Sequence, residues 1–376
     1  MFSFRKIVFI VLTAVLISST LPISMALENT TTIPGKGTIL YAGHKRPYVH
    51  GKILRHPTGE IFNMIAVYKM RSLTYYPGGI SGWTDEADAV YDMIKASGAN
   101  TVFLALNKWL WDNDPQYKPG IDALVAKCKA RGLYAVMNYH TNTQGGDRDA
   151  DYYALPIDVW RNFMVEIATR YKDEPTVIGI DPVDEGQGVA EAEWRSKHLD
   201  IIDAIHAVDP SYLVIVGPCP RLTLKNFSPY NRSNIIYKIH HFYSWDVGYG
   251  GYADAYYNAE TEEDFQQAYE LMRSFYQEIL TNFQDTYNVP VGEATSIGKV
   301  ANHLSGQPPL RNNYRQWDDQ MKLTAELGFG HTEYFACDRD FPTALFWNLL
   351  DANDPTQLSE AGLVWNASLQ YFVYMP

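Results

Sequence analysis

Cysteine is scarce in this chain, with 3 residues in 376. Cys128, Cys219 and Cys337 exclude a disulfide framework and leave room for at most one bridge. Cys128 falls on the apolar face of an expected helix and reads as a packing residue, whereas Cys219 and Cys337 both follow expected strands. Basic residues are in deficit: 31 Lys and Arg against 43 Asp and Glu give a formal charge of −12, which argues against nucleic acid as a partner. No Gly-x-Gly-x-x-Gly or Walker-type loop follows an early strand, so nothing favours a nucleotide-binding fold. No His-x-His closes the first expected strand, which counts against a histidine-built metal centre. Internal repeats, Pro- or Gly-rich linkers and low-complexity tracts are also missing, so nothing marks a second large domain.

What is present begins with a charged start at Arg5 and Lys6, an apolar run from Ile7 to about Ile17, and small residues at Ser24 and Ala26. This reads as a secretory signal over residues 1–26, with an uncleaved anchor as the alternative. No later stretch is long and apolar enough for a stable membrane span, so the mature protein is expected to be secreted. Residues 27–48 read as a polar segment and residues 49–376 as one large α/β domain. Sequons at Asn29, Asn226, Asn231 and Asn366 are glycan acceptors in an exported protein.

Beyond residue 48 the pattern alternates. Val49–Arg55 and Glu60–Phe62, joined by His56-Pro57-Thr58-Gly59, predict a small hairpin. Strand-like runs follow at Asn63–Tyr68, Thr101–Leu106, Leu133–His140, Val177–Val183, Tyr212–Val216, Ile235–Phe242, Val289–Gly292 and Thr332–Ala336. Helical spacing appears in Ala87–Ile94, Ile121–Cys128, Val159–Tyr171, Ala190–Val208, Glu262–Tyr287 and Tyr314–Leu327. Eight strands with helices between them predict a (β/α)8 TIM barrel preceded by a small β-hairpin.

Two of these strands, the fourth and the seventh, run into glutamates: Val177 to Glu185, and Val289-Pro290-Val291-Gly292-Glu293. Carboxylates at the carboxyl ends of different barrel strands converge on one mouth, where such a pair can act as acid and nucleophile on a glycosidic bond. Taken singly, either glutamate could equally be a solvated strand end.

These strand ends resemble family 5 of the glycoside hydrolases, the cellulase family, and the resemblance covers most of the mature chain. Asp184-Glu185-Gly186 is similar to the Asn-Glu-Pro that ends strand four in that family, and Gly292-Glu293 to its strand-seven Gly-Glu. Leu133–His140 resembles the strand-three run ending in histidine, His241-Phe242-Tyr243 resembles the strand-six His-x-Tyr, and the hairpin around Pro57-Thr58-Gly59-Glu60 resembles the one leading into the first strand. The resemblance implies a retaining hydrolase of β-linked polysaccharide, with Glu185 as acid/base, Glu293 as nucleophile and no cofactor. It gives His140, Asp184, His241 and Tyr243 as substrate contacts. A β-1,4-glucan is the first expected substrate and a mannan the second.

The chain departs from the family at three places. Asp184 stands where the family has asparagine, and an ionised aspartate accepts but cannot donate a hydrogen bond. Phe103 occupies the position of the strand-two arginine, and the strand-eight tryptophan has no clear counterpart, with Phe335 near it and Trp347 beyond. These departures keep a second class open, a barrel that binds carbohydrate without cleaving it. Aromatic residues are plentiful in expected loops and strand ends, among them Trp83, Trp109, Trp111, Trp245, Tyr249, Tyr252 and Trp347. Rings of this kind stack on the apolar faces of sugars, or pack in the core. The run Asn107–Trp111, carrying Trp109, is the best candidate platform, and Trp347 a second.

Overall fold

The computed structural model describes residues 30–33, 37–40, 44–51, 53–69, 88–141, 156–183, 190–217, 228–238, 252–281, 310–327, 331–333 and 367. Two units contain them, residues 1–43 and residues 44–376. In the first unit, β1 (Thr30–Ile33) pairs antiparallel with β2 (Gly37–Leu40).

The second unit opens with β3 (Tyr48–His50) paired antiparallel with β4 (Ile53–Arg55). The expected continuous strand over Val49–Arg55 is therefore bent back on itself. Gly51 makes the bend at φ 63°, a left-handed conformation that glycine reaches without strain. The turn at His56–Gly59 does form, but it closes only a single bridge between Arg55 and Ile61, with the His56 amide donating to the Glu60 carbonyl at 2.8 Å.

A parallel sheet follows, built from β5 (Ile65–Lys69), β6 (Thr101–Asn107), β7 (Tyr134–Thr141), β8 (Val177–Asp181), β9 (Leu213–Val216), β10 (Ile235–Tyr237) and β11 (His331–Glu333). Its strands read as nearly continuous apolar runs because both faces are covered; every residue of β6 is buried. The order is β10-β9-β8-β7-β6-β5-β11, all pairs parallel. The last described strand thus returns to pair with the first, as strand eight does in a closed barrel. The predicted strand Val289–Gly292 lies outside the described residues, and in chain order it falls between β10 and β11, the two edges of the described sheet. The architecture is the (β/α)8 barrel expected from the alternation.

Helices cover the outside. These are α1 (Asp88–Ala96), α2 (Lys108–Asn113), α3 (Tyr117–Ala130), α4 (Ile157–Tyr171), α5 (Glu191–Val208), α6 (Tyr252–Asn258), α7 (Glu262–Leu280) and α8 (Leu310–Leu327). In α4 the buried residues Trp160, Phe163, Met164, Ile167, Ala168 and Tyr171 recur at helical spacing, which turns one stripe onto the sheet. A capping box starts α7: the Thr261 side chain accepts from the Asp264 amide and Asp264 accepts from the Thr261 amide. Cys128 packs in the buried face of α3; Cys219 and Cys337 lie outside the described residues.

Two aromatic expectations fail here. Asn107–Trp111 is not a loop, because the Asn107 side chain accepts from the Leu110 amide and so caps α2. The helix carries Trp111 into the core, edge-on to Phe163 and Tyr117. Tyr252 opens α6 and is buried against Phe275. Neither ring is a surface platform.

Candidate active site

Neighbouring residues in register point to the same face of a parallel sheet, and alternate residues along a strand share that face. The register therefore places Phe103 and Ala105 of β6, Val136 and Asn138 of β7, and Gly179 and Asp181 of β8 on one face. The opposite face meets the helices, as Tyr139 shows by packing edge-on to Phe163 of α4. The first set consequently lines the barrel interior. Phe103, at the expected site of a cationic residue, is a buried interior packing residue.

A cation enters the interior from a different strand. Lys238, just past β10, is 2% exposed, and its Nζ donates to Asp181 Oδ2 at 2.5 Å and to the Val183 carbonyl at 3.2 Å. Asp181, at 1% exposure, also accepts from Asn138 Nδ2 at 2.7 Å. Removing two charges from water is expensive, and the cost is offset only where geometry is close and further hydrogen bonds satisfy both ions. Asn138 supplies one such bond to the carboxylate and the Val183 carbonyl one to the ammonium group.

The strand exits beside this cluster are tied from the helix layer too. Trp160 Nε1 of α4 donates to the Pro182 carbonyl at 2.8 Å, and Trp194 Nε1 of α5 donates to the Gly217 carbonyl at 3.1 Å. Pro182 brings no amide to the ladder, which accounts for β8 ending at Asp181 rather than at the expected Val183. Around the same tryptophans sits His198 of α5, with ring centroids 4.2 Å from Trp194, 5.5 Å from Trp160 and 6.3 Å from Tyr230. Its Nδ1 donates to the Trp194 carbonyl at 3.1 Å. Burial drives its pKa down to about 3, the bond to Trp194 opposes this, and the Lys238 charge adds to the fall. His198 is neutral in the folded protein.

Of the residues given catalytic or sugar-binding roles from the sequence, His140 and Trp109 lie among those described. His140 sits near the carboxyl end of β7 at 1% exposure. The register between β6 and β7 steps from Leu106↔Tyr139 to Asn107↔Thr141, passing over His140. Such bulges re-aim side chains at barrel rims. Trp109 is half-buried on α2, where its carbonyl accepts from Asn113 Nδ2 at 2.8 Å. Asp184, Glu185, His241, Tyr243, Glu293 and Trp347 lie outside the described residues.

The sequence reading missed Asn138, Asp181 and Lys238. The available signal was a polar or charged residue inside each of three mainly apolar strand runs, the feature expected of a strand whose interior face does more than pack. Asp181 stands four residues before Glu185 in the chain, and Val183 two before it. The described cluster therefore holds the segment that leads directly into the expected acid/base.

Comparison with known proteins matches residues 65–334 to cellulase (glycosyl hydrolase family 5). An endoglucanase of Paenibacillus polymyxa is 27% identical over 179 residues, covering 41% of this chain and 45% of the relative. A mannan endo-1,4-beta-mannosidase of Cellvibrio japonicus is 25% identical over 222 residues, covering 56% of this chain and 49% of the relative. The chain thus spans about half the length of these relatives. Among solved structures, the cellotetraose complex of an endocellulase from Pyrococcus horikoshii superposes with TM-score 0.64 at 13% identity, over 87% of this chain and 98% of the other. A β-glucanase from Saccharophagus degradans with cellotetraose gives 0.63 at 18% identity, over 86% and 93%. At such identities the superpositions speak for the barrel alone. The family match runs from the first barrel strand to the last and covers most of the chain, so the protein belongs to glycosyl hydrolase family 5, the cellulase family.

Proposed function

We propose that the protein is a secreted retaining β-glycosidase that cleaves a β-linked polysaccharide, a β-1,4-glucan in the first instance and a mannan in the second. The observation that carries this is the family match over a barrel whose fourth and seventh strand positions lead in sequence to Glu185 and Glu293. The two substrates follow the names of the relatives, an endoglucanase and a mannan endo-1,4-beta-mannosidase.

Retaining hydrolysis uses two carboxyl groups about 5–5.5 Å apart. Glu293, ionised, attacks the anomeric carbon while Glu185, protonated, gives its proton to the departing oxygen; a glycosyl ester on Glu293 and a shortened chain result. Water then attacks the ester, Glu185 takes the water's proton, and Glu293 leaves as carboxylate. Glu185 must hold its proton in the first step and lose affinity for it once Glu293 is esterified, which mutual repulsion between two nearby carboxylates provides. Asp184 adds a further negative neighbour in sequence, favouring the protonated acid. His140, His241 and Tyr243 contact sugar hydroxyls or orient Glu293, and Trp109 and Trp347 stack on sugar rings. The reaction needs no cofactor.

Glu293→Ala is expected to abolish release of reducing ends from soluble glucan and mannan. Glu185→Ala should recover turnover of an activated aryl glycoside when azide is added, because azide needs no general base. An active Glu293→Ala enzyme would overturn the assignment. The second reading, a barrel that binds without cleaving, is motivated by Asp184 and by Phe103 occupying the interior where a cation is expected. Binding to glucan or mannan with no reducing ends released across a panel that includes xylan would favour it. Export predicts a mature amino terminus near Leu27 and, at the exposed Asn231, a glycan when the protein is made in a glycosylating host.

A further inference from the structure

Lys238 does two things at once, and both concern the same strand. Its ammonium group pairs with Asp181 at the end of β8, and it holds the carbonyl of Val183, two residues further on. On the outer side Trp160 holds the intervening Pro182 carbonyl. Successive carbonyls at the exit of β8 are therefore fixed from inside and outside the barrel, immediately before the chain reaches Asp184 and Glu185. A strand exit that only had to be buried could be covered by apolar packing at less desolvation cost, since replacing a buried ion pair with hydrophobic residues is often neutral or stabilising. Retaining such a pair here implies a demand for defined geometry. Lys238 also reaches across the interior from a strand two places away in the sheet, past β9, so it ties the exit of β10 to that of β8. In the sequence β10 leads on to His241 and Tyr243 as β8 leads on to Glu185.

We propose that Lys238 is a positioning residue for hydrolysis: through Asp181 and the Val183 carbonyl it fixes the exit of β8, and with it the placement of Glu185 against the scissile bond. This rests on the reading of Glu185 as acid/base. A misplacement of about 1 Å in a reacting group can cost on the order of 100-fold in rate, so the effect belongs in turnover rather than in substrate affinity.

The test compares the wild-type enzyme with Lys238→Met and with the double variant Lys238→Met/Asp181→Asn, measuring melting temperature, kcat and KM on soluble β-1,4-glucan or mannan. Lys238→Met leaves the Asp181 carboxyl buried without its cation and should lower the melting temperature and kcat together. The double variant removes both charges, and should recover most of the melting temperature while kcat stays about 10- to 100-fold below wild type, with KM within about twofold. Stability and turnover then part company, which a purely structural ion pair would not produce. If Lys238→Met does not fold, the double variant decides alone. A double variant with kcat restored to within about twofold of wild type, or with the loss confined to KM, overturns the proposal while leaving the glycosidase reading intact. A wild-type protein inactive on every β-glycan tested removes the reading and the proposal together.

Discussion

The two ends of the barrel each bury a cation, and they use it differently. At the amino-terminal end, Arg46 is fully buried and spends its guanidinium on the starts of strands: Nε donates to the Val177 carbonyl at 2.6 Å, Nη1 to Asp209 and Ser211 at 2.7 Å, and Nη2 to the Tyr171 and Lys172 carbonyls at 2.9 and 3.0 Å. Its plane lies over the Tyr212 ring at 4.0 Å. Here a single planar fork satisfies several backbone carbonyls around the α4–β8 connection together with the Asp209 and Ser211 side chains before β9, which is the use to which arginine's fixed donors are suited. At the carboxyl-terminal end, Lys238 donates to Asp181 and to the Val183 carbonyl, on the exit of β8 that leads to Glu185. The same strand is thus anchored at Val177 by one cation and at Asp181 and Val183 by the other. In TIM-barrel enzymes the chemistry sits at the carboxyl-terminal face, while the opposite face serves stability. The contrast predicts that damage below appears in folding and damage above in turnover.

The strongest way to break that contrast is Arg46→Met. It strips the donors from six buried or half-buried acceptors and leaves Asp209, among the described residues, with Lys45 as its remaining salt-bridge partner, so stability should fall by about 3–5 kcal/mol, as for removal of one member of a buried pair. The folded fraction should keep kcat and KM close to wild type. Urea unfolding beside kinetics at a temperature where the variant is still folded measures both. A variant that is stable but slow would mean that the lower end also shapes the site.

A smaller effect is expected midway between the two clusters. A Cβ on Gly179 would meet the Leu213 carbonyl oxygen at 2.9 Å, a backbone atom that cannot swing away. Gly179→Ala should therefore push β8 from β9 and cost about 1–3 kcal/mol, the usual range for overpacking. Because the shift displaces the strand that both cations hold, stability and kcat should fall together. A loss of stability alone would show that the Lys238 clamp corrects the strand's position at the upper end.

How far these regions can be read in the sequence differs for the same physical reason. Local pattern was enough for the strands: Thr101–Leu106 is expected and Thr101–Asn107 observed, because a run buried on both faces carries its own signature. Local pattern was also enough to order the strands, since parallel neighbours joined by helices leave few alternatives. It misled where one residue redirects the chain. Gly51 folds the expected strand into two, and Asn107 converts the expected loop into a capped helix that buries Trp111. It was silent on the interior cluster, whose members are 43 and 57 residues apart and meet only through sheet register. Phe103 stands where the family's strand-two arginine would neighbour the nucleophile, and the interior cation that Lys238 brings from the end of β10 has no counterpart in the local pattern. Arg46 was missed likewise, since its partners lie more than 120 positions away.

Acidification sharpens the comparison with the smallest change, because each end holds a titratable group that loses stability in its own pH window. At the lower end, burial pushes the Asp209 carboxyl up, but Lys45, Ser211 and Arg46 together hold it well below the ordinary value of 3.8. A depressed carboxyl contributes stability that is complete above the unfolded value, so this contribution is lost only as the pH falls below about 3.8. At the upper end, His198 has its pKa depressed from 6.5 to about 3. Between those values the unfolded chain binds a proton that the folded protein refuses, so stability falls with decreasing pH across that window, by at most about 1.4 kcal/mol per pH unit for one proton. The refusal has a visible cause: the ring is enclosed by Trp160, Trp194 and Tyr230, and the nearby charge of Lys238 opposes a second cation. His198→Phe should keep the ring packing and remove the slope contributed between pH 6 and 4, whereas Asp209→Asn should leave that slope in place and lower stability at neutral pH. Urea titrations at half-unit pH steps separate the two. An unchanged slope in His198→Phe would mean that other groups carry the acid sensitivity, and that the aromatic enclosure beside Lys238 is not what keeps His198 neutral.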